Sequence, residues 1–154
     1  MGATDDTAAT ARRLVETNRY MTLATADADG RPWVTPVWYA PQWPEALLWI
    51  SRPDTRHSLN LAVRPELAIV VYDSTVPVGS AEALYLEARA EQLSGAEMER
   101  GIAAFSAHSE AGGAGTFDAD DVSGDGPFRL YRAAILDRWV LGPGDRRLPL
   151  SPLS

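Results

Sequence analysis

The chain contains no cysteine and no lysine, and only two histidines, His57 and His108. Without cysteine there are no disulfides, no thiol catalysis, no cysteine-ligated zinc and no iron–sulfur cluster. Without lysine there is no Walker-type phosphate loop and no Schiff-base amine. The two histidines lack close ligand spacing, and neither accompanies the GxSxG elbow of a serine hydrolase. Positive charge is scarce as well: 14 arginines face 21 acidic residues, a net charge of −7. A nucleic-acid ligand needs a concentrated positive field, so none is expected. No apolar run approaches the ~20 residues of a membrane span. Residues 1–10 are polar and acidic, unlike a secretory signal. The expectation is a cytoplasmic chain of 154 residues, long enough for one domain with its own core and with no membrane partner.

What the chain does contain is alternation. Asp5 or Asp6 is placed to cap a helix reaching Thr17, with Ala8, Ala9, Ala11, Leu14 and Val15 as its apolar face. Residues 20–25 then read as a strand, 27–30 as a turn and 32–39 as the second strand of a hairpin. Pro36 lacks an N–H, which predicts an edge or a bulge there. Residues 46–51 give a third strand and 56–63 a short helix in which Leu59 and Val63 can share a buried face. Residues 67–73 are continuously apolar, which predicts a strand buried on both sides. Residues 83–92 alternate, with Leu84, Leu86, Ala88 and Ala90 inward and Tyr85, Glu87, Arg89 and Glu91 outward.

Ser94 is placed to cap a helix over 96–108, with Glu97 completing a capping box. Residues 109–126 carry five glycines and five acidic residues and read as a flexible loop. Their acidic run departs from a calcium loop at Val122 and Ser123. Residues 128–141 return as one long strand or two with a bend, while 1–10 and 143–154 read as loose tails. Six or seven strands with three helices between them show no βαβ alternation. That predicts a mainly β fold with peripheral helices, a single domain over residues 1–154 built as an antiparallel barrel. The cluster Gly112-Gly113-Ala114-Gly115 lacks GxGxxG spacing, which excludes a dinucleotide-binding turn.

The chemistry concentrates at Ser51–Leu61, SRPDTRHSLNL, where an apolar strand opens into a short helix. Ser51, Arg52, Thr55, Arg56 and His57 converge on that joint. A helix start presents free N–H groups, and arginine adds a planar fork matched to phosphate oxygens, so the joint reads as an anion cradle. A capped helix with solvated arginines fits the local pattern equally well.

The order of elements and the motifs TPVWY, LLWIS, TRHSLNL, RPELAIVVYD and ALYLEARAEQL resemble the pyridoxamine 5'-phosphate oxidase-like family, flavin and deazaflavin oxidoreductases with a split β-barrel fold. The resemblance spans residues 13–142. It implies an FMN-binding oxidoreductase moving hydride between flavin and a small organic substrate, as a homodimer with the cofactor at the interface. It further implies that Thr35, Pro36, Val37 and Trp38 lie along the flavin ring, that Ser51, Arg52, Thr55, Arg56 and His57 hold the phosphate, and that Trp139, beside Arg138, reaches the cofactor across the interface. A deazaflavin-dependent reductase, a non-catalytic binder of flavin or haem, and a cofactor-free barrel serving as a dimeric scaffold are the alternatives. The oxidase proper carries an arginine and a lysine near Thr35 and Ala40 and a lysine where His57 stands. Those departures argue against the oxidase's own reaction.

Overall fold

The computed structural model describes residues 2–150, apart from the side chains of 3–5. Along the chain run α1 (Ala3–Thr17), β1 (Tyr20–Ala26), β2 (Pro32–Gln42), β3 (Ala46–Ser51), α2 (Arg56–Val63), β4 (Glu66–Tyr72), β5 (Ala83–Gln92), α3 (Gly95–Ala111), β6 (Arg129–Gly142) and β7 (Arg146–Pro149), with a single 3-10 turn before β7. The strands form one sheet in the order β3-β2-β1-β4-β5-β6-β7. β3 also pairs with β6, so the first six strands close a barrel and β7 lies outside it. Every pairing is antiparallel, as the alternating segments predict. Among the described residues, no helix is long and apolar enough to cross a membrane.

Two cores hold the fold. Alternate side chains fill the barrel, among them Met21, Leu23, Trp49, Ile69, Leu86 and Tyr131, and Ala11, Leu14 and Val15 of α1 join them. The Tyr39 hydroxyl donates to the Val15 carbonyl at 2.6 Å, which ties α1 to the barrel wall. Burial pushes that phenol well above its ordinary pKa, so it remains a donor. The second core lies outside the barrel, where Ala40, Leu48 and Leu130 meet Met98, Ile102 and Phe105 of α3. Gly101 permits this approach: a Cβ there would stand 2.9 Å from Leu130 Cδ2. The hairpin turn forms as its sequence predicts, with Gly30 at φ +83° and Asp27 Oδ1 accepting from the N–H groups of Asp29 and Arg31.

Several expectations are corrected. α1 begins at Ala3 with Gly2 as its N-cap and no side-chain cap bond, so Asp6 lies inside the helix. The Asp5 side chain falls outside the described residues. Residues 3–10 are therefore helix, held because the turns after them dock into the barrel, and Ala9 faces solvent. In the other expected tail, β7 pairs with β6, while residues 151–154 fall outside the described ones. β4 is not buried on both sides: Leu67, Ile69 and Val71 face the core and Ala68 and Tyr72 are exposed, because α3 covers a different part of the wall. Leu59 and Val63 do not share a buried face either. α2 turns His57, Ser58, Asn60 and Leu61 inward and leaves those two aliphatics exposed. Ser94 is the N-cap of α3 but makes no side-chain bond, and Glu97 instead pairs with Arg132 at 3.1 Å.

The glycine-rich acidic segment is packed, not loose. Asp118 and Asp121 bind the backbone of their own turn. Phe117 sits edge-on to Phe105 and Phe128, and Val122 is fully buried in the second core. Phe117 and Val122 anchor the segment, and its glycines and aspartates handle the turns around them. Replacing Val122 with Ala is therefore expected to cost about 1–2 kcal/mol in urea unfolding. A change within ~0.5 kcal/mol, typical of surface sites, would return the segment to the solvent.

Candidate functional site

The closed barrel leaves one strand half-partnered. β1 pairs with residues 32–38 of β2, but β3 pairs only with Tyr39, Ala40, Pro41 and Gln42. Tyr39 N–H donates to Arg19 O on the β1 side. By strand parity, the backbone groups of Val34, Pro36 and Trp38 are turned to the other edge, which has no strand beside it up to Trp38. Pro36 sits in continuous register opposite Thr22. Its missing N–H thus falls on the open edge and removes no ladder bond. The edge reading of Pro36 holds, and β2 has no bulge there.

Beside that opening β3 ends at Ser51, and the chain turns through 52–55 into α2. Thr55 is the N-cap, its Oγ1 accepting from Ser58 N–H at 3.4 Å. Ser58 Oγ donates to Arg52 O at 2.8 Å, and Thr55 Oγ1 donates to Ser58 Oγ at 2.7 Å. His57 Nε2 lies 2.8 Å from Ser51 Oγ and 3.3 Å from Thr55 Oγ1. Ser51, His57 and Ser58 are buried. Burial lowers the His57 pKa, which favours a neutral ring. Asn60 Nδ2 donates to buried Thr25 Oγ1 at 3.0 Å and fastens α2 to β1. These groups satisfy one another and fix the joint.

The cations stand outside this knot. Arg52 Nε pairs with Asp54 at 3.2 Å, both exposed. The Arg56 guanidinium lies 4.4 Å from the Trp33 ring centroid. Asp27 in the hairpin turn is held below the usual carboxylate range, chiefly by the Arg31 N–H and in smaller part by the charges of Arg31 and Arg56. The rim thus offers two exposed forks, one aromatic face and an open backbone edge. Among the described residues, no cluster of three acidic or histidine side chains could hold a metal ion.

The remaining expected residues divide. Thr35 and Pro36 lie on the open stretch. Val37 points into the barrel core and its backbone groups are turned to β1, so it offers nothing to the opening. Trp38 is half-buried, edge-on to Phe105 at 5.7 Å between ring centres. Trp139 lies apart from the joint, in a groove of about 480 Å³ on the outer sheet face lined by Ala24, Val34, Ala68, Val70 and Tyr85. Arg147 borders the same groove, 4.4 Å from the Tyr85 ring centroid, with Nη1 bound to Asp145 at 2.9 Å. Arg138 is directed elsewhere, towards Trp43, and its Nη1 is buried without a partner. Within one protomer, then, Trp139 is not part of the joint. The sequence analysis missed Tyr85 and Arg147. An outward tyrosine directly opposite an outward tryptophan, as Tyr85 is to Trp139, was the available signal of a face built for contact.

The family model described as pyridoxamine 5'-phosphate oxidase matches residues 7–140, and the chain belongs to that family. A search of curated proteins finds no match. Among solved structures, a heme-binding protein from Mycobacterium smegmatis is similar at 21% identity and a TM-score of 0.73, over 97% of this chain and 58% of that one. The chain thus spans little more than half the length of that protein. A FAD-binding protein from Mesorhizobium loti is similar at 20% identity and TM-score 0.62, over 91% and 94% of the two chains. An F420 reductase is similar at 19% identity and TM-score 0.61, over 82% and 94%. At these identities the likeness establishes the split-barrel fold.

The depressed pKa of His57 has a consequence for stability. The unfolded chain takes up that proton more readily than the folded one, so His57 costs nothing well above the ordinary value of 6.5 and destabilises as pH falls below it. Wild-type protein is expected to lose stability in urea between pH 7 and 5, and His57→Gln to lose less. Parallel pH profiles for the two proteins would show that the joint does not resist protonation.

Proposed function

We propose that the chain is a flavin-dependent oxidoreductase that works as a homodimer, with FMN bound along the open edge of β2 and its phosphate at the β3–α2 joint. The observation that carries this reading is the juxtaposition of an unpaired strand edge, over residues 34–38, with two exposed arginines at the adjoining rim. A flavin ring is flat and carries hydrogen-bonding groups on its edge, which suits exposed backbone amides and carbonyls. A phosphate matches the arginine fork. When bound, the flavin supplies the hydride chemistry, so the protein needs no acid or base of its own at the joint.

The chain's own residues divide the remaining work. Arg56 and Arg52 hold the anionic end, with Arg56 kept in place by the Trp33 face. Ser51, Thr55 and His57 lock the turn that presents those arginines. Val34, Pro36 and Trp38 offer backbone groups to the ring. The membership in the family and the similarity to a FAD-binding protein and an F420 reductase support a flavin-type cofactor. The F420 reductase keeps a deazaflavin open as the ring actually used. Haem is a poorer match at this rim, where the one imidazole has its Nε2 bound to Ser51. The substrate is read as a small organic molecule.

Titration of the protein with FMN, followed by quenching of flavin fluorescence, tests the reading. Arg56→Ala is expected to weaken binding about 10-fold or more, the loss of a charge-assisted bond to phosphate. Equal affinities for FMN in the two proteins would remove Arg56 from the site. Tight binding of a deazaflavin with none of FMN would reassign the cofactor.

A further inference from the structure

The C-terminal ends of α1 and α3 border a cavity of about 470 Å³ on the outer wall of the barrel, which the joint does not use. Its wall includes a pair of aromatic side chains, Tyr20 of β1 standing opposite Trp38 of β2. Their strand neighbours Met21 and Val37 are buried in the barrel, so both rings lie on the outer face by parity. Trp38 is held edge-on by Phe105, while Tyr20 is 62% exposed. Trp38 is also the last residue whose backbone groups face the open edge of β2. The cavity therefore begins where that edge ends.

The acceptors around this cavity are taken. At the end of α1, Leu14 O accepts from both the N–H and Nδ2 of Asn18, and Arg13 O accepts from the Thr17 hydroxyl at 2.7 Å. At the end of α3, the carbonyls of His108, Ser109 and Glu110 accept from the N–H groups of Gly112, Ala114 and Gly113. The lining carboxylate, Glu16, pairs with Arg12 one turn earlier at 3.6 Å. The donors are not taken. Among the described residues, the Arg19 guanidinium, the His108 ring and the Tyr20 hydroxyl have no hydrogen-bonded or ion-paired partner. Three spare donors, one of them a cation, require a ligand rich in acceptors, and the adjoining aromatic faces favour a flat one.

We propose that this cavity seats the substrate, and that the substrate is a small planar carboxylate, an aromatic or conjugated acid. Arg19 presents its planar fork to the two carboxylate oxygens, which it matches with parallel bonds. His108 and the Tyr20 hydroxyl supply further donors, and the flat body of the acid lies against Tyr20 and Trp38. A cavity of this size suits a small ligand. The inference rests on the flavin reading above and gives it a substrate class. Trp38 belongs to both sites, its backbone to the cofactor edge and its ring to the cavity, so an acid seated there adjoins the flavin ring. Arg52 and Arg56 take no part in it, so the cofactor's anion and the substrate's are held by different cations.

Calorimetric titration of the full chain with trans-cinnamate, first without flavin and then with FMN added, tests the site and its role separately. Wild type is expected to bind cinnamate in both states, and to bind the neutral cinnamamide about 10-fold or more weakly. Arg19→Gln should weaken cinnamate about 10-fold or more and leave cinnamamide and the circular dichroism unchanged, because the exposed Arg19 side chain holds no other group of the fold. With FMN bound, cinnamate should also shift the visible absorption of the flavin, since the two are neighbours. No binding of cinnamate by wild type, or equal affinity in Arg19→Gln, overturns the carboxylate site. Binding to the FMN-loaded protein without a spectral shift places the acid away from the ring and overturns its role as substrate. If cinnamate binds and distinguishes the variant while FMN itself does not bind, the flavin reading fails and the carboxylate site stands.

Discussion

Closure of the sheet between β3 and β6 decides where everything else can go. β3 has six residues and must serve two neighbours, pairing along its whole length with β6 and only through Ala46–Trp49 with β2. The first half of β2 is left with one partner. An unpaired edge is ordinarily a liability that invites another strand. Here a proline removes one donor from that edge, and α2 crosses the barrel end next to it. The opening is thereby limited to a short row of backbone groups at a rim with fixed charges. The barrel interior supplies the rigidity, since Met21, Leu23 and Trp49 are fully buried and such cores tolerate little displacement.

The joint illustrates the difference between groups that bind and groups that position. Buried hydroxyls and an imidazole must find partners, because an unsatisfied one costs ~1–3 kcal/mol. Ser51, Thr55, His57 and Ser58 find them in each other and in the Arg52 carbonyl. They have little left to offer a ligand, but they fix the turn from which Arg52 and Arg56 project. The helix continues this logic: its polar side is spent on the barrel, so its aliphatic side has nowhere to go within the same chain.

Much of the fold was legible because alternation is a strong signal. β3, α2 and β5 carry the bounds their sequences predict, and Tyr85, Glu87 and Arg89 point outward as their period requires. The errors share a cause. Apolarity alone predicts the faces of β4 and α2 only on the assumption that apolar residues face their own core. Ala68, Leu59 and Val63 break that assumption, since their surroundings within the chain are solvent. Apolar pattern alone does not say which aliphatic side chains stay on the surface. The packed segment after α3 differs for another reason: its anchors, Phe117 and Val122, stand among many glycines and aspartates, and composition averages them away. At the site, the residue types and the strand-to-helix joint were readable. The open edge of β2 was not, beyond the hint in Pro36, because it depends on where β3 stops pairing.

The replacement of a conventional phosphate-binding lysine by His57 would look like a weakened site if charge were counted by position alone. The geometry distributes the charge otherwise. A buried neutral histidine contributes no cation, yet it frees the joint from burying an ammonium, which is costly without a close counter-ion. The positive charge sits instead on guanidinium groups in solvent, whose planar forks carry the phosphate role proposed above. A chain without lysine thereby separates two tasks at this joint: the buried His57 helps to hold the turn, and the exposed Arg52 and Arg56 carry the charge.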